Sequence, residues 1–540
     1  MKTMINSIIL ASCLALPLAS CSDSDAAPEQ KDWSTTTYFN SSDAAAQDTY
    51  YKPAVGYVGD PMPFFDPVAG DFKVLYLQDF RPNPEGTYHP IWGVSTKDAA
   101  HYTALGELVS CGTLKSQDAA IGTGSTIYDE TSKLYYTFYT GNKYKPTGDE
   151  SAQAVMVATS ADFKTWTKDR TFLIKGQDFG YDKNDFRDPF VFKGDDGKFH
   201  MLISTKKGGK GSLAEFVSDD LKNWTDNGVF MTMMWDRFYE CPDLFKMGDY
   251  WYLVYSELHH AVRRVQYFKG RTLDELKACT ANDAGIWPDA HEGFLDSRGL
   301  YAGKTASDGT NRYLWGWCPT RSGKDNTAVG ASPAEPEWAG NLVCYKLIQH
   351  EDGTLTLGQV DAVSEKYNQD VAVEVKESLN MTEADGTYTL AGNAEQPDAY
   401  MLMGRLGSHN KISFTVTTSN KWDKFGISMV RGSDSKKYYT MVVNPEDENN
   451  RKVNFEEQGV EGKGFIAGID GYVFARPADN VYNVTIYTDN SICVMYINDV
   501  CSYTNRIYGI QKNCWSINSY NGANVKISNL KISQIGRASC

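Results

Sequence analysis

From about Tyr51 to Gly358 one unit returns along the chain at intervals of roughly fifty to sixty residues, the spacing of a repeat architecture rather than of a single layered sheet. It is a Gly-, Asp- or Asn-rich turn followed by an aromatic strand. "DPVAGD" precedes "FKVLYLQDF", "DETSK" precedes "LYYTFYTG", "KGDDGK" precedes "FHMLIST", "KMGD" precedes "YWYLVYS", and "SDGTN" precedes "RYLWGWC". A second piece returns between these units: "GVSTKDAAHYTAL", "VATSADFKTWTK" and "FVSDDLKNWTD", each a strand, then Ser/Thr-x-Asp, then a short turn. Long helical periodicity is nearly missing. A four-stranded sheet repeated at this interval is the signature of a propeller blade. The chain is therefore expected to be all-β, with five blades over residues 49–360. The competing architecture, a large β-sandwich, gives no reason for the repeated Ser-x-Asp tail.

Beyond Val360 the sequence is less aromatic and alternates strictly, as in "KISFTVTT", "FGISMVR", "VYNVTIYTD" and "NVKISNLKIS". Such alternation marks half-buried antiparallel strands, so residues 361–540 are expected to form a separate C-terminal β-sandwich. At 540 residues, 41% of them hydrophobic, the chain is long enough for two such cores. The formal net charge of −15 argues against a nucleic-acid partner, whose phosphates require Lys and Arg.

The N-terminus reads as targeting sequence. Lys2 precedes an apolar run from Ile5 to Leu18, too short for a membrane span and suited to a signal-peptide core. Residues 1–20 are expected to be that signal and 21–48 a polar tether. "LASC", Leu18 to Cys21, resembles a bacterial lipoprotein box, which implies lipidation at Cys21 and attachment to an outer membrane, with the acidic stretch that follows resembling a surface-export signal. An ordinary signal-peptidase cut without lipid is the alternative. The other nine of 11 Cys are scattered, without CxxC pairs or paired His, so neither a zinc site nor a disulfide framework is expected. One bridge among Cys493, Cys501 and Cys514 is conceivable on spacing alone.

Three acids stand before strands in proline-containing turns: Asp60 in "VGDPMPFF", Asp188 in "DFRDPFVF" and Glu240 in "YECPDLF". Any one of them is explained as a turn initiator. The pattern repeated across blades is different, because the innermost strands of a propeller face one channel and equivalent positions converge there. Three carboxylates at one funnel repel each other, and such clusters are justified by chemistry on a polyhydroxylated or cationic ligand.

The same motifs, in this order, resemble the glycoside hydrolase family 32 enzymes (invertases, inulinases, levanases). The matches are Gly59-Asp60-Pro61, Arg187-Asp188-Pro189 and Glu240-Cys241-Pro242. "IGTGSTIYD" resembles the family's Phe-Ser-Gly-Ser segment, with Ser125 at the Ser position, and "GLYAGKTASDGTNRYLWGWC" its Phe-Tyr-Ala to Trp-Gly-Trp stretch. Two departures stand out: Gly59 replaces the leading Asn of the first motif, and Met62 follows the proline where the family has Asn. The loop "RPNPEGTYHPIWG" is also atypical.

The resemblance implies retaining hydrolysis of β-fructosidic bonds in fructans or sucrose-like fructosides. Asp60 would be the nucleophile, Glu240 the general acid and base, and Asp188 the transition-state stabiliser. Glu240 must hold a proton while Asp60 does not. Arg187, Gln78, Trp92, Ser125 and Trp317 are the candidate substrate-binding residues, with Trp92 and Trp317 as sugar platforms. No cofactor or metal is implied. The expected partner is carbohydrate, with membrane contact only through the lipid anchor. Two alternatives stand: a related five-bladed arabinan-cleaving enzyme, which inverts, and a non-catalytic glycan-binding lipoprotein, which the altered first motif would suit.

Overall fold

The computed structural model describes residues 49–540 apart from 82, 234–237, 258–263, 280–291, 298, 322–335, 432–436, 445–449, 457–471, 508–509, 511–512 and 537–540. The expected signal peptide, tether and Cys21 lie outside the described residues.

Each aromatic strand found in the sequence is the second strand of a blade, and the acids lie on the strands just before them. The first strands are Tyr57–Asp66, Ala120–Asp129, Phe186–Lys193, Glu240–Met247 and Tyr301–Ser307. Each touches the first strand of the next blade, and the fifth touches the first, so the five form a ring around one axis. Blades two, three and four are four-stranded antiparallel sheets. The fifth and first blades are joined in one eight-stranded sheet, where Pro336–Gln349 pairs with Tyr57–Asp66 through Val58 and Gly340. Closure of the ring thus rests on strands nearly three hundred residues apart in the chain.

The recurring Ser/Thr-x-Asp tail is turn chemistry. Asp98 accepts from the backbone N–H of Ala100 and His101, Asp162 from Lys164 and Thr165, and Asp220 from Lys222 and Asn223. In each case the hydroxyl two residues earlier (Thr96, Ser160 or Ser218) bonds to the same carboxylate. A short polar side chain satisfies the N–H groups that the chain exposes as it leaves the third strand.

Residues beyond the propeller form two packed sheets, one containing His409–Thr418, Val481–Asp489 and Asn524–Gln534, the other Ala399–Arg405, Lys424–Arg431 and Cys514–Tyr520. Alternate residues of both point into one core around Phe414, Ile486, Trp515 and Ile517, as the alternation in the sequence requires. Two kinds of contact join sandwich to propeller. Tyr487, Ile492, Val494 and Tyr496 share an apolar cluster with Tyr345, Leu347 and Leu355. Beside it, buried Arg506 donates to the carbonyls of Cys318 and Pro319, at 2.9 and 3.1 Å, and to Asn341 Oδ1 at 2.6 Å. Asp296 in turn accepts from the Thr504 N–H and hydroxyl, both at 2.8 Å. Removing Arg506 takes a hydrogen bond from several buried acceptors at once. Arg506→Ala is therefore expected to cost about 3 kcal/mol, seen as a lower denaturation midpoint for the whole chain.

Cys493 and Cys501 are buried, Cys514 is half-buried, and all three are free thiols, so no bridge forms among them.

Candidate active site

All five first strands carry an irregularity in register at the same depth. In the first blade Gly59 pairs with Leu77 and Met62 with Leu75, so two residues oppose one. The same count recurs between Arg187 and Phe190, between Glu240 and Asp243, and between Tyr301 and Lys304, while the second blade inserts Thr123 alone. The first bulged residue has positive φ in four blades: Asp60 at 31°, Asp188 at 58°, Cys241 at 51° and Ala302 at 51°. Three of these bulges place proline next, where the ladder asks for no donor. The motifs Asp-Pro and Cys-Pro are thus the local code for a bulge that turns one side chain into the funnel. A non-glycine residue in this region costs about 1–3 kcal/mol, a cost typical of functional positions.

This register corrects the sequence-based equivalence of the three acids. Asp60 and Asp188 occupy the same bulge position, together with Thr123, Cys241 and Ala302. Glu240 lies one residue earlier, level with Gly59, Arg187 and Tyr301. Two rings of side chains are stacked at the mouth, and the acid–base candidate belongs to a different ring from the nucleophile candidate.

Asp60, Asp188, Glu240 and Arg187 all line one cavity of about 370 Å³, together with Thr123, Thr140, Asn142, Gln153, Tyr88, His89, Tyr301 and Trp338. Both oxygens of Asp60 accept hydrogen bonds, one from Thr123 Oγ1 at 2.7 Å and one from Trp317 Nε1 at 3.0 Å, which fixes the carboxylate's orientation. Asp188 is buried and accepts from the Cys241 N–H at 3.0 Å. Burial pushes its carboxyl up to about 6, with Arg187 opposing and Glu240 and Asp60 adding to the rise. Glu240 accepts from Arg187 at 2.9 Å and from the Tyr301 hydroxyl. Arg187 also bonds to Asp185 at 2.8 Å and stacks 3.8 Å over the Phe238 ring, while the surrounding carboxylates hold its guanidinium firmly charged. Beneath the carboxylates Lys304, buried, donates to the Gly124 carbonyl at 2.7 Å and spans from the fifth blade to the second. Its burial pulls the ammonium below the ordinary lysine range, while the nearby acids favour its charge.

The other expected substrate contacts lie elsewhere. Gln78 is buried, and its amide donates to the Val55 carbonyl at 2.6 Å. Trp92 packs edge-on against Phe80, 6.0 Å between centroids, outside the cavity wall. The Ser125 hydroxyl bridges blades by donating to the Pro189 carbonyl and accepting from the Val191 N–H, both at 2.9 Å. It holds the Asp188 bulge in place. Trp317 is fully buried behind the cavity wall: it donates its N–H to Asp60 and packs against Tyr301 and Trp338, 5.6 and 6.0 Å between centroids. None of these four side chains lines the cavity itself.

Sequence reasoning did not single out three further residues. Thr123 and Tyr301 lie inside the segments "IGTGSTIYD" and "GLYAGKTASDGTNRYLWGWC", but their place at the cavity shows only in the blade register. Trp338 comes from the long closing strand. A Cβ added at Gly59 would lie 2.1 Å from its ring, so the glycine makes the room that this indole occupies. Gly59→Asn is accordingly expected to destabilise by about 1–3 kcal/mol through overpacking, and adding Trp338→Ala to return most of it; thermal denaturation of the two variants checks both. Among the described residues no group of three His, Cys, Asp or Glu is placed to hold a metal ion.

Comparison with known proteins sets this geometry in a family. The model of the Glycosyl hydrolases family 32 N-terminal domain matches residues 50–360. The chain belongs to glycoside hydrolase family 32. A second model, the GH32 BT1760-like C-terminal domain, matches residues 353–532. The insoluble β-fructofuranosidase isoenzyme CWINV2 of Arabidopsis thaliana is 26% identical over 320 residues, 54% of this chain and 51% of its own length. Sucrose-6-phosphate hydrolase of Vibrio alginolyticus is 25% identical over 385 residues, 68% of this chain and 73% of its own. The first of these relatives is thus matched over only about half its length. Among solved structures, fructan 1-exohydrolase IIa of Cichorium intybus aligns with a TM-score of 0.67 at 16% identity, covering 91% of this chain and 98% of its own. Sucrose-6-phosphate hydrolase of Lactobacillus gasseri aligns with 0.67 at 18%, covering 92% and 95%. These likenesses show the fold: family 32's five-bladed β-propeller followed by a β-sandwich.

Proposed function

We propose that this family 32 chain hydrolyses β-fructosidic bonds in fructans or sucrose-like fructosides, with retention of configuration. The observation that carries the reading is the convergence of Asp60, Asp188 and Glu240, from three blades, on one cavity with Arg187. Asp60 attacks the anomeric carbon of a fructosyl unit, forming an ester bond as the glycosidic C–O bond breaks. Glu240 gives its proton to the departing oxygen. It then removes a proton from water, which attacks the same carbon and releases fructose and free Asp60 carboxylate. Thr123 and Trp317 hold Asp60 in line by hydrogen bonds to both its oxygens. Asp188 accepts hydroxyl hydrogen bonds from the sugar as positive charge develops on it. Trp338 takes the role of aromatic wall for the fructosyl ring that the sequence suggested for Trp92 and Trp317. The described wall supplies one cation, Arg187, and it is already bonded to Asp185 and Glu240, which favours uncharged over phosphorylated fructosides.

The test is incubation with sucrose, inulin and levan beside Glu240→Gln, with the anomeric form of the first-released fructose followed by NMR. Release of β-fructose by the wild type alone supports the reading. Equal inertness of both proteins leaves a glycan-binding protein, and cleavage of arabinosides with inversion leaves the arabinanase alternative. The "LASC" box supports a further proposal, attachment to the outer membrane through lipid on Cys21. Cys21→Ser should release the protein from the membrane fraction.

A further inference from the structure

The atypical loop after the second strand of the first blade brings two aromatic residues to the cavity that the reaction itself does not use. Trp338, against Gly59, stacks on His89 with ring centroids 4.0 Å apart and planes 17° apart. His89 meets Tyr88 edge-on at 4.7 Å and 81°. All three line the cavity, yet Tyr88 is 36% exposed, so the series runs from the wall beside the nucleophile strand out to the rim. The backbone at Tyr88 is anchored: its carbonyl accepts from the Ile121 N–H at 3.1 Å and from the Cys111 thiol at 3.1 Å, tying the loop to the second blade. His89 sits at φ 63°, a conformation that a free loop would abandon. Burial pulls its imidazole down to about 3, so it is a neutral ring across the working pH range.

Two residues before Tyr88 in the same loop, Gly86 lies against further apolar surface. A Cβ added at Gly86, φ +73°, would lie 2.6 Å from the Tyr144 ring and 2.7 Å from a Leu114 methyl, which places all three residues together. Leu114 is 49% exposed, and the Tyr144 hydroxyl is tied to Glu85 at 2.6 Å. An anchored aromatic series with one end in a catalytic cavity and the other on an exposed apolar rim is a track for a chain of sugar rings, whose C–H faces pack on aromatic surface while their hydroxyls stay in water.

We propose that Tyr88, together with Tyr144 and Leu114 at Gly86 of the same loop, forms a binding subsite for the further sugar units of an oligo- or polysaccharide whose terminal fructosyl unit lies between Asp60 and Glu240. This rests on the fructoside reading of the same cavity and adds chain length as the property selected. A disaccharide placed at the reacting carboxylates has only one sugar beyond the scissile bond, whereas a longer chain continues over the rim.

The experiment compares kcat/KM on sucrose with kcat/KM on inulin- and levan-type tetrasaccharides for the wild type, Tyr88→Ala and Tyr88→Phe. The expected result is a fall of at least tenfold in the tetrasaccharide-to-sucrose ratio for Tyr88→Ala, carried by KM rather than kcat, with Tyr88→Phe close to the wild type. An unchanged ratio, or one lowered through kcat alone, overturns the subsite. The same substitution in a Glu240→Gln background, titrated with the uncleaved tetrasaccharides, reads binding without turnover. Weaker tetrasaccharide binding caused by Tyr88→Ala there supports the subsite even if the reaction assigned to the cavity is wrong, and unaltered binding overturns it even if that reaction is right.

Discussion

Asp60→Asn is expected to lower kcat on sucrose by about 10⁴-fold or more while leaving the fold intact. The amide has the shape of the carboxylate but cannot displace the leaving sugar and carry the fructosyl group as an ester. The site tolerates it. Trp317 can only donate, so the amide oxygen must face its N–H; the amide nitrogen then faces Thr123, whose hydroxyl can rotate to accept. Both hydrogen bonds survive, and stability from denaturation should stay within about 1 kcal/mol of the wild type. Asp60→Ala opens space at the same point, and azide added to it should restore turnover and yield a fructosyl azide of inverted configuration. That product identifies Asp60 as the group that attacks carbon. An Asp60→Asn protein retaining more than a few per cent of kcat would remove it from that role.

Much of this site was legible because proline marks it. Asp188-Pro189 and Cys241-Pro242 announce a bulge in a strand that otherwise reads as continuous, and the bulge is what aims a side chain into the channel. The sequence could not show that Glu240 sits one residue out of step with Asp60 and Asp188, since that offset appears only when the partner strands are aligned, Ser256 opposite Glu240 and Leu77 opposite Gly59. Nor could it sort the tryptophans. Trp92, Trp317 and Trp338 all stand on strands, and the period of two tells which residues share a face without telling which face meets the channel. Gly59 is the instructive case. As a sequence feature it is the loss of an Asn from a family motif; in the structure the missing side chain is the space that Trp338 fills. The propeller itself was plain from its repeats, because turn chemistry such as that of Asp98, Asp162 and Asp220 is local and needs no tertiary information.

Asp188→Asn should move activity and stability in opposite directions. In the folded protein this carboxyl titrates near 6, raised from 3.8 chiefly by burial and further by Glu240 and Asp60. Between those two values the native state holds a proton that the unfolded chain has released, so the stability owed to this group falls as pH rises from about 4 to 6 and stays low above it. A shift of this size corresponds to an ionisation cost on the order of 2–3 kcal/mol at neutral pH. Asn carries no such cost and still offers an oxygen to the Cys241 N–H. The variant should therefore unfold at a higher temperature than the wild type at pH 7.5, with the difference shrinking as pH falls toward 4. Its kcat/KM should drop by about 10²–10³-fold, because a neutral amide stabilises the developing positive charge on the sugar far less than a carboxylate does. The wild type's activity should lose its acid side near pH 6, where Asp188 takes up its proton, and that inflection should be absent from the residual activity of the variant. Calorimetric scans at pH 4.5 and 7.5, beside pH–rate profiles of both proteins, measure the two effects. A variant less stable than the wild type at pH 7.5 would show that Arg187 and the Cys241 N–H repay the burial of this charge in full.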